Sequence, residues 1–394
     1  MASTPDTTPF DPTFDSEKIS ALRNALSSSR PPLNDALPEI QDPSEHGITP
    51  AFASALWTSW QNTFDWSTAA AKIAQWPHFL ANFPSPDPSI EKDLFIHFIH
   101  QRSSNPNAIP LLLLLHGRPG SFYEFSEVID PLSDPSATLS FHIIVPSLPG
   151  FVFSSAPPRA GWTVKDTARI FHQLMLSLDY QHYAVQAGDW GAMFARELGT
   201  QYSESCRVMH LNWCPGSVPE AERGGETERE KKCREQGEGW RNEACGLCCV
   251  DEDEAEDGGL DCGHAGGVGG YEEASNPAVH HKSFWLNHIH KTMSLYYMTN
   301  CIASSALIYY ENPRHDQFAA YCSVEENLIR CPVGYTSMEF DTAPNSRRGA
   351  ETTVEKGELV WYKERDYAGH FACLEDPESM IEDVREVVGN LWER

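Results

Sequence analysis

Residues 183–202 predict a buried strand, a very tight turn and a helix in direct succession. The strand spans 183–186, the turn is 187–191 (Ala-Gly-Asp-Trp-Gly), and the helix spans about 192–202. Small residues stand two places before and two places after Asp189, and only small side chains fit around so sharp a turn. The central side chain then projects above the sheet, in the geometry called a nucleophile elbow. An ordinary Asx turn at a strand end is the alternative for this motif alone.

Strands and helices alternate on both sides of this turn. Continuous apolar runs predict strands at 109–115, 141–145, 208–212, 333–338 and 359–363. Apolar residues at helical spacing predict amphipathic helices at 163–178 and 377–392. This alternation predicts an α/β fold, in which a mostly parallel sheet carries helices on both faces. Residues 1–105 are expected to be largely helical, with one strand at 95–100.

One segment, residues 217–273, breaks the pattern. It carries 17 acidic and 6 basic residues, a net charge of −11 in 57 positions, and has no usable apolar periodicity. Taken alone, it predicts a disordered insert. Five of the 11 cysteines lie between Cys233 and Cys262, and none precedes Cys206. A disulfide scaffold would spread its cysteines over the fold, so we do not expect one.

Charge and hydropathy exclude several kinds of partner. The net charge of −27 argues against binding to nucleic acid or to an anionic membrane, because both are polyanions. The longest aliphatic run, residues 111–115, is far shorter than the ~20 residues that a membrane span needs. Residues 1–11 show no basic region followed by an apolar one, so we expect no secretory signal. The expectation is a soluble, cytoplasmic protein without stable membrane insertion.

The elbow aspartate and a second turn together suggest a reaction centre. An aspartate nucleophile attacks an electrophilic carbon and forms an alkyl ester on the enzyme. Residues 116–119 (His-Gly-Arg-Pro) follow the 109–115 strand, where this kind of fold places one backbone N–H of an oxyanion hole. The two donors would be the N–H groups of Arg118 and Trp190, with His116 in the same loop. A plain Gly-Pro turn is the alternative for residues 116–119.

A histidine and an acid follow the last two predicted strands. His370 lies ahead of the final helix, where it could activate water against an ester. The acid that orients it should follow the preceding strand, which makes Asp341 the candidate, with Glu339 in reserve. Asp366 is too near the histidine loop. The order nucleophile, acid, histidine supports the set. Any one of the 16 histidines, or any single acid, could instead be an ordinary surface group.

The sequence resembles the microsomal-type epoxide hydrolases of the α/β-hydrolase superfamily, in their soluble fungal form with an N-terminal extension. The resemblance covers most of 8–215 and 284–394. The matching motifs are 95–100 (Phe-Ile-His-Phe-Ile-His), 116–122 (His-Gly-Arg-Pro-Gly-Ser-Phe, apart from its third residue), 146–151 (Pro-Ser-Leu-Pro-Gly-Phe), 186–191 (Gln-Ala-Gly-Asp-Trp-Gly) and 369–372 (Gly-His-Phe-Ala). The resemblance implies an N-terminal region at 1–105, core parts at 106–215 and 326–394, and a helical lid at 216–325 inserted before the penultimate strand.

The resemblance also implies roles. Asp189 would be the nucleophile, His370 the general base and Asp341 its partner. Two lid tyrosines would donate to the epoxide oxygen, and Tyr310 best matches the second, with its neighbour Tyr309 as the alternative. The substrates would be a small epoxide and water. No metal or organic cofactor is expected, and the resemblance suggests a homodimer.

Two departures and three alternatives stay open. The family has Trp where this chain has Arg118, and residues 217–280 offer no match for the first lid tyrosine beyond Tyr271 in a Gly-rich context.

A haloalkane dehalogenase would use the same Asp nucleophile, with Trp190 as a halide ligand. A catalytically impaired member would carry a defective lid, translated from a wrong reading frame or a retained intron. The third alternative is a zinc site, whose ligands would be Cys245, Cys248, Cys262 and His264. These residue types suit zinc, but their spacing along the chain is irregular.

Overall fold

The structure is a computed structural model of the chain. It describes residues 5–29, 50–85, 89, 91–113, 116–247, 282–313 and 317–393. Within these residues, no helix is long and apolar enough to cross a membrane.

A nine-stranded sheet forms the centre of the fold. Its strands are β1 (Asp6–Pro9), β2 (His78–Phe83), β3 (Leu94–Gln101), β4 (Ile109–Leu113), β5 (Phe141–Pro146), β6 (Tyr183–Ala187), β7 (Cys206–Leu211), β8 (Val333–Phe340) and β9 (Leu359–Gly369). Their order is β1-β2-β3-β5-β4-β6-β7-β8-β9. The pairs β1–β2, β2–β3 and β3–β5 are antiparallel, and the remaining pairs are parallel. The predicted α/β fold with a mostly parallel sheet is therefore confirmed.

Helices connect the strands and surround the sheet. The described α-helices are Ser16–Ser28, Pro50–Asn62, Trp66–Ile73, Ile129–Ser133, Val164–Ser177, Asp189–Gln201, Glu228–Leu247, Lys282–Thr299, Ile302–Glu311, Phe318–Ser323, Arg347–Glu351, Ala372–Glu375 and Pro377–Leu391. Short 3-10 helices span Phe122–Phe125, Glu220–Glu222 and Glu325–Asn327. The amphipathic helix Val164–Ser177 buries Val164, Phe171 and Met175, and a capping box between Thr163 and Asp166 starts it.

Two sets of contacts hold the elements that carry the functional region. The guanidinium of buried Arg196, on the helix Asp189–Gln201, donates from Nη2 to the carbonyls of Cys322, Asn327 and Thr353 at 3.0, 3.2 and 3.2 Å. These bonds fix the helix against the second part of the core. The helix Lys282–Thr299 is held from the other side, where Trp60 Nε1 donates to Ser294 Oγ at 3.0 Å.

The N-terminal region differs from the prediction. Its residues contribute β1 and β2 in addition to the predicted strand near 95–100, and both strands extend the antiparallel edge of the sheet. The prediction of a largely helical region missed β1 because it has only four residues and lies mostly exposed, which leaves no apolar run to recognise. It missed β2 because the buried positions of this strand do not alternate regularly with exposed ones.

The expectation of a disordered insert is wrong for the part of residues 217–273 that the structure describes. Residues Glu228–Leu247 form a helix, although they lack an apolar stripe. Charged side chains attach this helix to the core, because Arg229 and Lys232 both pair with Glu339 at the end of β8. Glu, Lys and Arg are also good helix formers. The side chains of all four candidate zinc ligands and Tyr271 lie outside the described residues.

Candidate active site

The turn after β6 has the predicted sharp geometry. Strand β6 ends at Ala187, Gly188 is extended, and the next helix begins at Asp189 itself. Asp189 has a φ of 43°, in the left-handed region that residues other than glycine rarely occupy. Such a conformation costs on the order of 1–3 kcal/mol and persists where the surrounding structure enforces it. A Cβ on Gly117 would lie 1.4 Å from Asp189 Oδ1, so the neighbouring loop must also carry glycine here.

The two carboxylate oxygens of Asp189 face different partners. Asp189 Oδ2 lies 2.7 Å from His370 Nε2. The backbone N–H of Trp190 donates to Asp189 Oδ1 at 2.6 Å. One oxygen is therefore next to a potential base, and the other lies against an N–H that can stabilise negative charge.

His370 also contacts a buried acid. His370 Nδ1 lies 2.9 Å from Asp341 Oδ1, and the Asp341 side chain is only 1% exposed. Asp189, Asp341 and His370 follow β6, β8 and β9, so the carboxyl ends of three parallel strands bring them together. The sequence-predicted nucleophile, acid and base thus form one continuous set of contacts.

Electrostatics favours a protonated His370 while both carboxylates are charged. Burial alone would lower the pKa of His370, but the carboxylates of Asp341 and Asp189 outweigh it and raise the pKa well above its ordinary value. The charge on the imidazole therefore depends on the charge of Asp189.

His116 and Arg118 lie beside this set in the loop after β4. His116 is fully buried, and its Nε2 accepts the backbone N–H of Leu148 at 3.1 Å. Burial lowers the pKa of His116 to about 4, so the ring is neutral near pH 7. This bond joins the loop after β4 to the loop after β5, and a role of His116 in substrate binding stays a prediction. Arg118 is half-buried, and a cis peptide bond joins it to Pro119.

Two family models match overlapping parts of the chain. The model described as "Epoxide hydrolase N terminus" matches residues 7–125, and the model described as "alpha/beta hydrolase fold" matches residues 110–213. The chain is similar to epoxide hydrolase 1 of Sus scrofa, with 27% identity over 97% of this chain and 88% of the relative.

Solved structures agree with these matches. The Aspergillus niger epoxide hydrolase is 25% identical, has a TM-score of 0.79, and is matched over 99% of this chain and 98% of that chain. The chain is therefore similar to epoxide hydrolases along nearly its whole length. The juvenile hormone epoxide hydrolase from the silkworm Bombyx mori shares the fold at 23% identity, with a TM-score of 0.80 over 100% of this chain and 96% of that one.

Of the two tyrosines that the sequence offers as proton donors, Tyr309 packs against the residue that follows Asp189. Its ring packs edge to face on the Trp190 indole, with centroids 5.1 Å apart. Phe318 packs on the same indole at 5.2 Å. Tyr310 is 80% exposed, so the structure does not support its predicted role as proton donor. Successive residues of a helix point about 100° apart, and this rotation separates the two neighbours.

The reserve acids do not join the site. Glu339 pairs with Arg229 and Lys232 of the helix Glu228–Leu247, and Asp366 is exposed on β9.

Sequence reasoning missed a buried acid, Glu124, next to the site. The backbone N–H of Ser121 donates to Glu124 Oε1 at 3.2 Å. Burial, followed by the charge of Asp189, raises the pKa of Glu124 to about 8. The available signal was an acid inside the apolar run 122–125 (Phe-Tyr-Glu-Phe).

Proposed function

We propose that this chain is an epoxide hydrolase that opens its substrate through an ester on Asp189 and releases a vicinal diol. The observation that carries the proposal is the division of the Asp189 carboxylate, with Oδ2 at His370 Nε2 and Oδ1 at the Trp190 N–H. An oxygen of the carboxylate can attack carbon. The carbonyl oxygen of the resulting ester can stay at the N–H that must stabilise it in the next step.

In the first step, an Asp189 oxygen bonds to one epoxide carbon and the ring C–O bond breaks. The bonding electron pair moves to the ring oxygen, which then needs a proton. We assign Tyr309 as the donor in place of Tyr310, because Tyr309 lies on Trp190 beside the nucleophile and Tyr310 points to solvent. Tyr271, the tyrosine within residues 217–280, lies outside the described residues.

In the second step, His370 takes a proton from water, and the hydroxide adds to the Asp189 carbonyl carbon. The N–H groups of Trp190 and Arg118 would stabilise the oxyanion. The carbon–oxygen bond to the alcohol then breaks, and the leaving oxygen takes the proton held by His370, which releases the diol. The proton that the hydroxide brought to the Asp189 carboxyl group passes to the Tyr309 phenolate, which restores the carboxylate and the donor. Ester formation removes the negative charge of Asp189, one of the charges that raise the pKa of His370. The pKa therefore falls in the intermediate, when a neutral base is needed.

The surroundings of Asp189 favour an apolar, aromatic epoxide. The Trp190 indole contacts Tyr309 and Phe318, and Phe318 also packs on Trp213, with centroids 5.5 Å apart. The comparisons favour this function over the dehalogenase alternative, because the relatives and solved structures described above are named epoxide hydrolases. A cytoplasmic location and a homodimer stay predictions.

The test is diol formation from styrene oxide by the purified full chain. The wild type should release phenylethanediol, and Asp189→Ala should abolish the activity. Asp366→Asn is the matched control, since this exposed acid lies near the site only in sequence, and it should retain wild-type turnover. Chloride release from a chloroalkane without diol formation would favour a dehalogenase. A folded wild type that is inactive on all epoxides would favour the impaired member.

A further inference from the structure

A buried carboxylate lies behind His370 and is not used in the two chemical steps. Glu375 is 7% exposed and ends the single-turn helix Ala372–Glu375. The backbone N–H of Gly369 donates to Glu375 Oε2 at 2.7 Å, and the N–H of Phe371 donates to Oε1 at 2.9 Å. These two donors belong to the residues immediately before and after His370.

We infer that Glu375 is a positioning residue that holds the backbone of His370 in the orientation needed for ester hydrolysis. The inference rests on the proposed function. Hydrogen bonds from an N–H to a carboxylate are about twice as strong as those between neutral groups. One carboxylate bonded on both sides of a residue restricts the backbone torsions of that residue, because neither flanking amide can turn without losing its acceptor.

The imidazole then has two independent anchors. The bond from Nδ1 to Asp341 fixes the ring, and the bonds to Glu375 fix the backbone that carries it. Neither anchor alone is sufficient. The ring bond leaves the chain free to shift with the ring, and the backbone bonds leave the side chain free to rotate.

The packing around Gly369 supports this role. A Cβ on Gly369 would lie 2.8 Å from the Phe340 carbonyl oxygen and 2.9 Å from Glu375 Oε2. Phe340 directly precedes Asp341 and pairs with Gly369 across β8 and β9. The strand ends that carry the acid and the base therefore meet at the point where Glu375 binds, and the close approach requires glycine.

Glu375 matters most in the second step. Nucleophilic attack uses Asp189, which is held by its own turn, whereas hydrolysis requires His370 Nε2 to meet a water beside the ester. A misplacement of about 1 Å can cost on the order of 10²-fold in rate. Loss of Glu375 should therefore slow ester decay far more than ester formation.

The test compares Glu375→Gln with Asp376→Asn in the full chain. Gln keeps one acceptor oxygen but turns its NH₂ group toward the other backbone donor. Asp376 is an equally buried acid that caps the next helix, where its Oδ1 accepts the N–H of Ser379 at 3.2 Å. Stopped-flow tryptophan fluorescence with styrene oxide measures ester formation and decay, and thermal unfolding measures Tm.

For Glu375→Gln we expect ester decay to slow by about 10- to 100-fold while ester formation stays within about threefold. Asp376→Asn should lower Tm and leave both rate constants within about threefold. If Glu375→Gln does not fold, Glu375→Asp serves instead, with the same imbalance expected because its shorter side chain cannot reach both donors.

A folded Glu375 variant whose ester decays at the wild-type rate overturns the inference, and so does a variant in which ester formation and ester decay slow equally. A wild type that forms no ester contradicts the proposed function itself, and the inference falls with it.

Discussion

Replacing Asp341 with Asn removes one negative charge and leaves the size of the side chain nearly unchanged. Asp341 Oδ1 lies 2.9 Å from His370 Nδ1, and the Asp341 side chain is 1% exposed. Solvent therefore screens the pair weakly. During ester hydrolysis His370 gains a proton, and its positive charge develops beside Asp341. The substitution removes the stabilisation of that charge.

The expected effect follows from the geometry. Two unit charges about 4 Å apart interact by about 4 kcal/mol at an effective dielectric constant of about 20. Each 1.4 kcal/mol or so corresponds to a tenfold change in rate, so ester hydrolysis should slow by about 10³-fold. Ester formation should change by less than about tenfold, because Asp189 attacks without transferring a proton to His370.

Single-turnover mixing with styrene oxide, followed by tryptophan fluorescence, separates the two steps. Trp190 adjoins the reacting carboxylate and is a natural reporter. In Asp341→Asn the ester should accumulate and persist, whereas Asp366→Asn should behave like the wild type. Unchanged decay in a folded Asp341→Asn variant would refute the charge-stabilisation reasoning. Equal slowing of both steps would show that the variant distorts the whole site.

Three further predictions address individual groups. Asp189→Asn should lower the pKa of His370, observed by NMR titration of the ring, because one of the two carboxylates that raise it is removed; an unchanged pKa would contradict the coupling. The stability of the wild type should fall between pH 4.5 and 8, because folding raises the pKa of Glu124 to about 8 and the unfolded chain loses the Glu124 proton at lower pH. The limiting slope of this decline is about 1.4 kcal/mol per pH unit. Glu124→Gln should flatten the decline, measured as Tm against pH, and a variant as pH-dependent as the wild type would contradict the assignment. Tyr309→Phe should slow ester formation by about 10²-fold, as for loss of an oxyanion donor, while Tyr310→Phe should change it less than about twofold; equal effects would reject Tyr309 as the donor.

The nucleophile turn, the base and the acid could be predicted from the sequence because each depends on local order. A small-residue pattern between a strand and a helix marks Asp189, and the ends of two later strands mark Asp341 and His370. The choice between Tyr309 and Tyr310 could not be predicted, because the rotation of their helix is set by packing on Trp190.

Other features depend on partners distant in sequence. The helix Glu228–Leu247 has no apolar stripe, and its contacts to Glu339 are visible only in the fold. Glu375 bonds to backbone N–H groups, which leave no side-chain pattern in the sequence. A buried acid near a catalytic histidine is therefore recognised from coordinates rather than from spacing.

Oxygen-18 water tests the central claim most directly. With the wild-type chain in excess over styrene oxide, one turnover in labelled water should place the label in the Asp189 carboxylate and none in the diol. The diol oxygen would come from the enzyme, because the hydroxide adds to the ester carbonyl and not to the substrate carbon. Label in the diol of the first turnover, with none in Asp189, would contradict Asp189 as the nucleophile.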